Sequence, residues 1–247
     1  MGYTIAIAGK GGTGKTTIAA LLVRIFTEKK LGSILAIDAD PNSNLAEGLG
    51  IKPEATISQI IDDIAKHPEK VPSGISKDRF IEYQIETIIQ ECDGFDLLTM
   101  GRPEGPGCYC YANSVLRNIT DKLIKGYDRI VIDNEAGFEH LARKTTRIAD
   151  TLVVVSDATK IGLRSAQRIN ELAKELDLKI KKRLLLINRY NKDIDKQSIK
   201  GLGLEYIGNI PLDNGIAKIS LDDNSLMKLN KDAISLKMLR KMGDKIW

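Results

Sequence analysis

The first segment of this chain with recognisable chemistry is a glycine-rich stretch that follows a short apolar run. Residues 9–16 read Gly-Lys-Gly-Gly-Thr-Gly-Lys-Thr and match the pattern G-x-x-x-x-G-K-[ST] between a predicted strand and a predicted helix. Glycines let successive backbone N–H groups point at a polyphosphate, and the helix N-terminus adds partial positive charge. We expect Lys15 to contact the β- and γ-phosphates and Thr16 to ligate Mg²⁺. The predicted nucleotide-binding residues of this segment are Gly11, Gly12, Thr13, Gly14, Lys15, Thr16 and Thr17.

Carboxylates follow two further apolar runs. Asp38 and Asp40 close the second predicted strand, where the carboxyl edge of a parallel sheet would bring them near the phosphate loop. Asp133 ends another apolar run, as in the Walker B pattern, and Gly137 follows four residues later. We expect Asp133 to hold Mg²⁺ through water and the Gly137 N–H to sense the γ-phosphate, in a segment ordered by triphosphate. The alternative is that such strand-end carboxylates serve only as helix caps.

Two of the three cysteines lie one residue apart. Cys108 and Cys110 follow a stretch rich in glycine and proline, which predicts a loop. Free cysteines are usually buried small hydrophobes, and this is our reading of Cys92. Two cysteines in a loop fit that reading poorly, and their thiolates could instead bind a metal ion. Zn²⁺ and thiolate-bound Ni²⁺ prefer four ligands, however, so one subunit is two ligands short. A homodimer with this loop on its two-fold axis would supply the other two.

The elements that must position these residues alternate along the chain. Strands are predicted at 3–9, 33–37, 95–100, 129–132, 151–155, 183–187 and 205–210, and helices at 15–30, 57–65, 114–125, 139–147, 161–176 and 232–246. The segment 79–92 fits either a helix or a hairpin. Continuous apolar strands separated by helices predict an α/β fold with a doubly wound, mostly parallel sheet. We find no repeat or linker and expect a single domain over 1–247.

Composition excludes several classes of protein. The 247 residues are 43% hydrophobic and 28% charged, which rules out a wholly disordered chain. The formal net charge of +4 is too small to indicate nucleic acid or anionic lipid as a partner. No apolar run approaches the roughly 18 residues of a membrane span, and no signal peptide is recognisable. We therefore expect a cytoplasmic protein that binds no nucleic acid and is unlikely to act at a membrane.

The lysine at position 10 limits which group of phosphate-loop proteins this chain resembles. With it, the glycine-rich segment resembles the deviant Walker A motif (KGGxGKT) of the Min, ParA, Get and nitrogenase iron-protein superfamily of dimeric P-loop ATPases. The resemblance implies that Lys10 crosses the dimer interface to the phosphates bound by the other subunit. It also implies that Asp40 positions or deprotonates the attacking water, that Asp38 supports it near Mg²⁺, and that Asn188 and Pro211 contact adenine. The alternative for Lys10 is a solvated loop lysine, and the alternative for Asn188 and Pro211 is that they are ordinary strand-end residues.

Two further segments resemble one branch of that superfamily. Gly-Pro-Gly-Cys-Tyr-Cys-Tyr at 105–111 and Ala-Gly-Phe-Glu-His-Leu at 136–141 are similar to the CooC-type accessory ATPases, and the likeness runs to about residue 211. This resemblance implies a homodimeric, Mg-ATP-dependent metallochaperone that inserts nickel into carbon monoxide dehydrogenase or acetyl-CoA synthase. It also implies that Cys108 and Cys110 of both subunits share one ion. His140 is either a nickel ligand or, more commonly for such a histidine, a surface or capping residue.

Three other functions compete with this interpretation. The segment 235–247 has apolar residues on one face and basic residues beside it, so it is either a membrane-binding tail or the last core helix. The basic cluster at 179–183 suggests a DNA-partitioning ATPase, although a solvated loop explains it as well. A Min- or ParA-like positioning ATPase is therefore the main alternative. A non-catalytic, ATP-gated adaptor is the third, and measurable turnover would exclude it.

Overall fold

The computed structural model describes residues 2–102, 108–123, 125–135, 148–222 and 225–247. The predicted helix at 139–147, together with Gly137 and His140, lies outside these ranges. Within them, eight strands form one sheet in the order β3-β4-β2-β5-β1-β6-β7-β8. The strands are β1 (Tyr3–Gly9), β2 (Ile34–Ala39), β3 (Gln90–Cys92), β4 (Phe95–Thr99), β5 (Arg129–Asn134), β6 (Ile148–Ser156), β7 (Lys179–Asn188) and β8 (Glu205–Ile210).

All strand pairs are parallel except the hairpin of β3 and β4. Helices cover both faces of the sheet, as parallel strands require. The helices of the described residues are α1 (Lys15–Lys29), α2 (Asn44–Leu49), α3 (Ile57–Lys66), α4 (Lys77–Thr87), α5 (Cys108–Leu123), α6 (Lys160–Glu175), α7 (Lys196–Ile199), α8 (Asn214–Leu221), α9 (Ile234–Lys241) and α10 (Gly243–Ile246). The predicted doubly wound α/β fold is confirmed.

Alternate residues of each central strand enter different cores. In β2, Ile34 and Ala36 face the core that contains α1 and the C-terminal helices, whereas Leu35 and Ile37 face the core of α3, α4 and α5. Helix α6 covers the second face beside α5, against β1, β6 and β7. Helix α1 lies deepest, with ten buried residues, so the segment that follows the glycine loop is held firmly against the sheet.

The structure resolves one open local prediction and corrects two others. The ambiguous segment 79–92 is both a helix and half of a hairpin, because α4 ends at Thr87 and β3 then pairs with β4. Helix α5 begins at Cys108, six residues before the predicted start, so Cys108 and Cys110 open a helix and do not lie in a loop. The helix continues beyond its predicted start because Ala112, which precedes that start, is buried in the same core as Leu116 and Ile119. The basic cluster at 179–183 begins strand β7 and is not a loop.

The C-terminal segment packs into the core. It forms two short helices, α9 and α10, in which Leu236, Leu239 and Ile246 are completely buried. Trp247 meets the Phe26 ring of α1 edge-on at 5.0 Å between ring centroids. In the described parts of the chain, no helix has the length and apolar character needed to cross a bilayer. The apolar face that suggested a membrane-binding tail is therefore used for packing.

Candidate nucleotide site at the carboxyl edge of the sheet

The glycine loop between β1 and α1 approaches its neighbours too closely for side chains. A Cβ on Gly9 would lie 2.2 Å from the Val155 carbonyl oxygen, and Gly9 has a φ of +157°. Gly14 has a φ of +91°, and a Cβ there would lie 2.3 Å from Nδ2 of Asn188. Both positions therefore require glycine, for conformation and for space. The loop is braced by the Thr13 hydroxyl, which donates to the Lys10 carbonyl at 2.8 Å.

The N-terminus of α1 is open to an anion. Gly14 is its N-cap, no side chain caps the helix, and the first turn carries no acidic residue. The first N–H groups of the helix are therefore left for a ligand. Lys15 stands at this end and is buried, with 7% exposed. Burial lowers the pKa of Lys15, and attraction to Asp133, Asp40 and Glu135 offsets part of that effect.

Asp133 provides two oxygen atoms that suit a divalent cation. It pairs in register with Asp38 on β2 and Ile7 on β1, and its side chain is completely buried. Neither carboxylate oxygen has a hydrogen-bond partner among the described residues. The Thr16 hydroxyl favours the charged form but does not reach hydrogen-bonding geometry, and burial raises the pKa of Asp133 to about 7. Unpaired carboxylate oxygens beside a hydroxyl form the hard oxygen donor set that Mg²⁺ prefers.

Asp38 has a different set of partners. Its Oδ2 accepts hydrogen bonds from the backbone N–H groups of Leu45 at 2.8 Å and Ala46 at 3.1 Å, and its Oδ1 accepts from Asp40 N at 3.2 Å. The carboxylate thus caps α2 and shapes the turn after β2. Burial raises the pKa of Asp38 to about 6, against the effect of these three bonds. Its supporting role near Mg²⁺ stays a prediction.

Asp40 is held in the turn between β2 and α2. Its Oδ1 accepts from the backbone N–H of Asn42 at 2.9 Å and from the Asn42 side chain at 3.0 Å. The residue is 9% exposed, and its charge acts on Lys15. Its other oxygen has no described protein partner. The carboxylate therefore lies near Lys15, and its water-positioning role stays a prediction.

Asn188 and Pro211 line a single cavity of about 330 Å³ with Thr17 of α1. Ile18, Leu21, Ile210 and Ile216 supply apolar walls. A mostly apolar cleft with few polar groups, next to the phosphate loop, suits a nucleoside. Asn188 also donates from Nδ2 to the Thr13 carbonyl at 2.8 Å, so it braces the loop as well. The structure thus brings together the two residues predicted to contact adenine, and that contact stays a prediction.

A larger cavity, of about 660 Å³, adjoins the site on the other side of α8. Thr16 and Thr17 line it together with residues of α2 and the turn after it, including Glu47 and Lys52. Helix α8 has no buried residue and borders both cavities through Ser220. The nucleotide site is therefore flanked on one side by a helix whose residues are all partly or fully exposed.

Two site residues were missed by sequence reasoning. Asn134 follows Asp133 on β5 and is buried; its Nδ2 donates to the Ile7 carbonyl at 2.8 Å, while its Oδ1 has no described partner. Arg189 follows Asn188, and its Nη1 donates to the Gly12 carbonyl at 3.2 Å. Each lies directly after a residue that the motifs identify. A polar side chain at the end of a predicted strand was the sequence feature that could have identified both.

The remaining predicted features are Lys10 and the three cysteines. Lys10 is exposed and forms no ion pair with the described residues, and its action across a dimer interface stays a prediction. The backbone at Cys108 and Cys110 is described, but their side chains are not. Among the described side chains, no group of three His, Cys, Asp or Glu is arranged to hold a metal ion. Cys92, the remaining cysteine, is half-buried on β3 and forms no disulfide.

Comparisons with known sequences find nucleotide-binding proteins. A family model for the CobQ/CobB/MinD/ParA nucleotide binding domain matches residues 4–226. An uncharacterised ATP-binding protein of Methanocaldococcus jannaschii is 42% identical over 248 residues, which cover 98% of this chain and 97% of the relative. The carbon monoxide dehydrogenase accessory protein CooC of Rhodospirillum rubrum is 30% identical over 232 residues, which cover 86% and 84% of the two chains. The family match runs from the second residue of β1 to beyond the end of β8.

Comparisons of structure give the same fold. The cell division ATPase MinD of Pyrococcus furiosus superposes with a TM-score of 0.73, at 21% identity and with both chains fully covered. The septum site-determining protein MinD of Pyrococcus horikoshii, solved with Mg-ADP, superposes with a TM-score of 0.70 at 19% identity, covering 100% of this chain and 96% of the other. At these identities the likeness concerns the arrangement of strands and helices.

Proposed function

Because the chain belongs to the CobQ/CobB/MinD/ParA family of nucleotide-binding domains and is thus a P-loop ATPase, we propose that it is a homodimeric metallochaperone. In this proposal Mg-ATP drives it to insert nickel into carbon monoxide dehydrogenase or acetyl-CoA synthase. The observation that carries the proposal is the pair Cys108 and Cys110 at the start of α5. The 30% identity to an accessory protein of carbon monoxide dehydrogenase supports the same client class.

The position of the cysteine pair supports a link to ATP. Strand β4 ends beside β2, where the Met100 N–H donates to the Asp38 carbonyl at 2.8 Å. Helix α5 follows β4 and returns along the sheet, so its first residues belong to the carboxyl edge that also carries the phosphate loop. Asp38 thus connects the strand that leads toward the cysteines with the turn that holds Asp40. A change in that turn on ATP hydrolysis would therefore also move the end of the strand that leads toward the cysteines.

The residues of the site divide the ATPase reaction among them. The N–H groups at the start of α1 and the ammonium of Lys15 hold the phosphates, and Asp133 and Thr16 would hold Mg²⁺. Bound Mg²⁺ neutralises charge on the phosphoryl group that is transferred. Asp40 positions the attacking water, and Lys10 of each subunit stabilises the phosphates bound by the other. Each site is complete only when two subunits close, so the ATPase cycle also opens and closes the dimer.

Ligand counting connects the dimer to nickel as cargo. One subunit offers two thiolates, and a thiolate-bound ion prefers four ligands, so a two-fold axis would complete the site. If closure on ATP brings the two cysteine pairs together, ATP raises the affinity for the metal. Linkage then requires that the metal favours the ATP-bound dimer by the same factor. Zn²⁺ would occupy the same thiolates, since their chemistry does not exclude it.

Metal analysis of the purified protein tests the proposal. Nickel titrated into the ATP-bound protein should saturate at half an ion per chain, with a dimer mass in solution. The double variant Cys108→Ser with Cys110→Ser should lose the ion and keep Mg-ATP binding. Cys92→Ser is the matched control, because Cys92 lies on β3 with only a weak contact from its thiol to the Gln90 carbonyl. One ion per monomer, or retention of nickel by the double variant, contradicts a shared site.

The acid dependence of nickel binding provides a second readout. Thiolates must deprotonate before they bind a metal, so nickel uptake should weaken as the pH falls from 8 to 6. A Min- or ParA-like protein that positions cargo at a membrane or on DNA would show neither half-stoichiometric nickel nor this dependence. It would instead bind anionic vesicles or duplex DNA when ATP is present. Such binding without nickel uptake would favour that alternative.

A further inference from the structure

Arg189 occupies an unusual backbone conformation at the end of β7. Its φ is +57°, in the left-handed region that few residues other than glycine and asparagine adopt. The conformation is fixed from one side by Asn188, whose Oδ1 accepts the Arg189 N–H at 3.0 Å. Glycine would adopt it without strain, so the arginine side chain is held at this point despite an energetic disadvantage. Strain of this kind concentrates at functional sites.

The side chain of Arg189 extends along the phosphate loop. Nη1 donates to the Gly12 carbonyl at 3.2 Å, and Nη2 lies 4.0 Å from the point where a Cβ of Gly14 would be. Arg189 also lines the 330 Å³ cavity with Thr17 and Pro211. The guanidinium therefore lies between the loop that binds phosphates and the cavity that suits a nucleoside. A nucleotide with its base in this cavity and its phosphates on the glycine loop would bring its phosphate chain close to this guanidinium.

The positive charge of Arg189 is not neutralised by the described protein residues. It forms no salt bridge with them, and Asp213, the carboxylate of the same cavity, is otherwise engaged. The oxygens of Asp213 accept from Ser235 N at 3.0 Å, from the Ser235 hydroxyl at 2.6 Å and from Gly215 N at 2.9 Å. A guanidinium has five N–H donors, and a single hydrogen bond to the loop is described for this one.

We propose that Arg189 binds the phosphate chain of the nucleotide and is a third cation of the ATP site, beside Lys10 and Lys15. A planar guanidinium matches two phosphate oxygens at once, and it can do so while one donor holds the Gly12 carbonyl. The resemblance to known ATPases gives this residue no role. The inference depends on ATP binding and is independent of nickel, so the failure of one proposal leaves the other standing.

Binding measurements on Arg189→Gln test the proposal. The glutamine amide can still donate to the Gly12 carbonyl but carries no charge. We expect the Kd for Mg-ATP and Mg-ADP to rise about tenfold or more, as for a charge-assisted hydrogen bond of about 1.5 kcal/mol. The Kd for adenosine, measured by competition with a fluorescent ADP analogue, should change by less than about twofold. Arg79→Gln on α4 is the matched control and should bind all three ligands as the unmodified protein does.

Salt dependence separates a phosphate contact from a loop brace. A direct ionic contact weakens as salt screens it, so Arg189→Gln should show a shallower dependence of Kd on salt, and Arg189→Lys should restore much of it. Arg189→Gly relieves the backbone strain and should fold with an unchanged or higher Tm, yet it should lose ADP affinity to the same extent. Unchanged ADP affinity in Arg189→Gln, or weaker binding with the original salt dependence, would overturn the proposal.

Discussion

Asp133→Asn should stabilise the nucleotide-free protein while it removes Mg-dependent nucleotide binding. Burial raises the pKa of Asp133 from 3.8 to about 7, and neither oxygen has a described hydrogen-bond partner. Each pH unit corresponds to about 1.4 kcal/mol, so ionising this carboxyl in the folded protein rather than in the unfolded chain costs about 4 kcal/mol. The attraction of Lys15 is already included in that pKa. An amide of the same shape has no charge to bury.

The sign of the pH dependence follows from proton binding. Between pH 3.8 and about 7 the folded protein holds a proton on Asp133 that the unfolded chain has released. The stability of the unmodified protein therefore falls as the pH rises through this window, and the variant lacks that loss. We expect the variant to be more stable by about 2 to 4 kcal/mol at pH 8, which is on the order of 5 to 10 °C in Tm. The difference should shrink by more than half at pH 5.

Thermal and urea unfolding in EDTA, without nucleotide, measure the stability difference at pH 8 and its decrease at pH 5. Asp128→Asn is the matched control, because the Asp128 carboxylate accepts from the Ser33 N–H at 2.9 Å and from the Ser33 hydroxyl at 3.1 Å. Those bonds lower the pKa of Asp128, so this variant should be less stable than the unmodified protein at pH 8, with a smaller deficit at pH 3. A destabilised Asp133→Asn at pH 8, or a stability difference independent of pH, would refute the reasoning.

Four further outcomes are expected. Lys15→Ala should abolish tight nucleotide binding in equilibrium titrations, whereas Asp40→Asn should keep it and lose ATP hydrolysis; unchanged turnover would exclude Asp40 as the water-positioning group. Mixing Lys10→Ala with Lys15→Ala subunits should restore ATPase activity, since mixed dimers contain one complete site if Lys10 acts across the interface. No recovery in confirmed mixed dimers would contradict this. Gly14→Ala should lower stability by about 1 kcal/mol or more and weaken ADP binding, because its φ of +91° disfavours a side chain and the methyl displaces Asn188. Unaltered ADP affinity would count against the loop geometry.

The apolar runs predicted the strands because strands buried on both faces contain little else. Their ends were less predictable. Strand β2 continues through Asp38, β5 through Asp133 and Asn134, and β7 through Asn188. A polar residue usually marks the end of a buried strand, whereas here the backbone ladder continues and carries polar side chains at its last positions. The apolar pattern therefore placed these strands correctly but ended three of them too early.

The structure of segments outside the strands was harder to predict, because it depends on tertiary contacts that a short sequence pattern does not contain. Cys108 was assigned to a loop because the preceding glycines and prolines suggest one, but packing of Ala112 and Leu116 extends α5 to this point. Helix α8 was not predicted, since its eight residues have only a brief apolar periodicity and none is buried. Arg189 depends on the approach of β7 to the phosphate loop, which only the folded chain provides.

Asp38 and Asp133 show why residue type and spacing leave chemistry undecided. Both are aspartates at the ends of neighbouring strands, they pair in register, and both are completely buried. The turn after β2 folds back so that three N–H groups meet Asp38, whereas no described donor meets Asp133. The first carboxylate therefore has backbone donors for both of its oxygens, and the second leaves both of its oxygens available to a cation. The direction of the backbone N–H groups after each strand, rather than the strand itself, decides which of the two buried carboxylates is hydrogen-bonded.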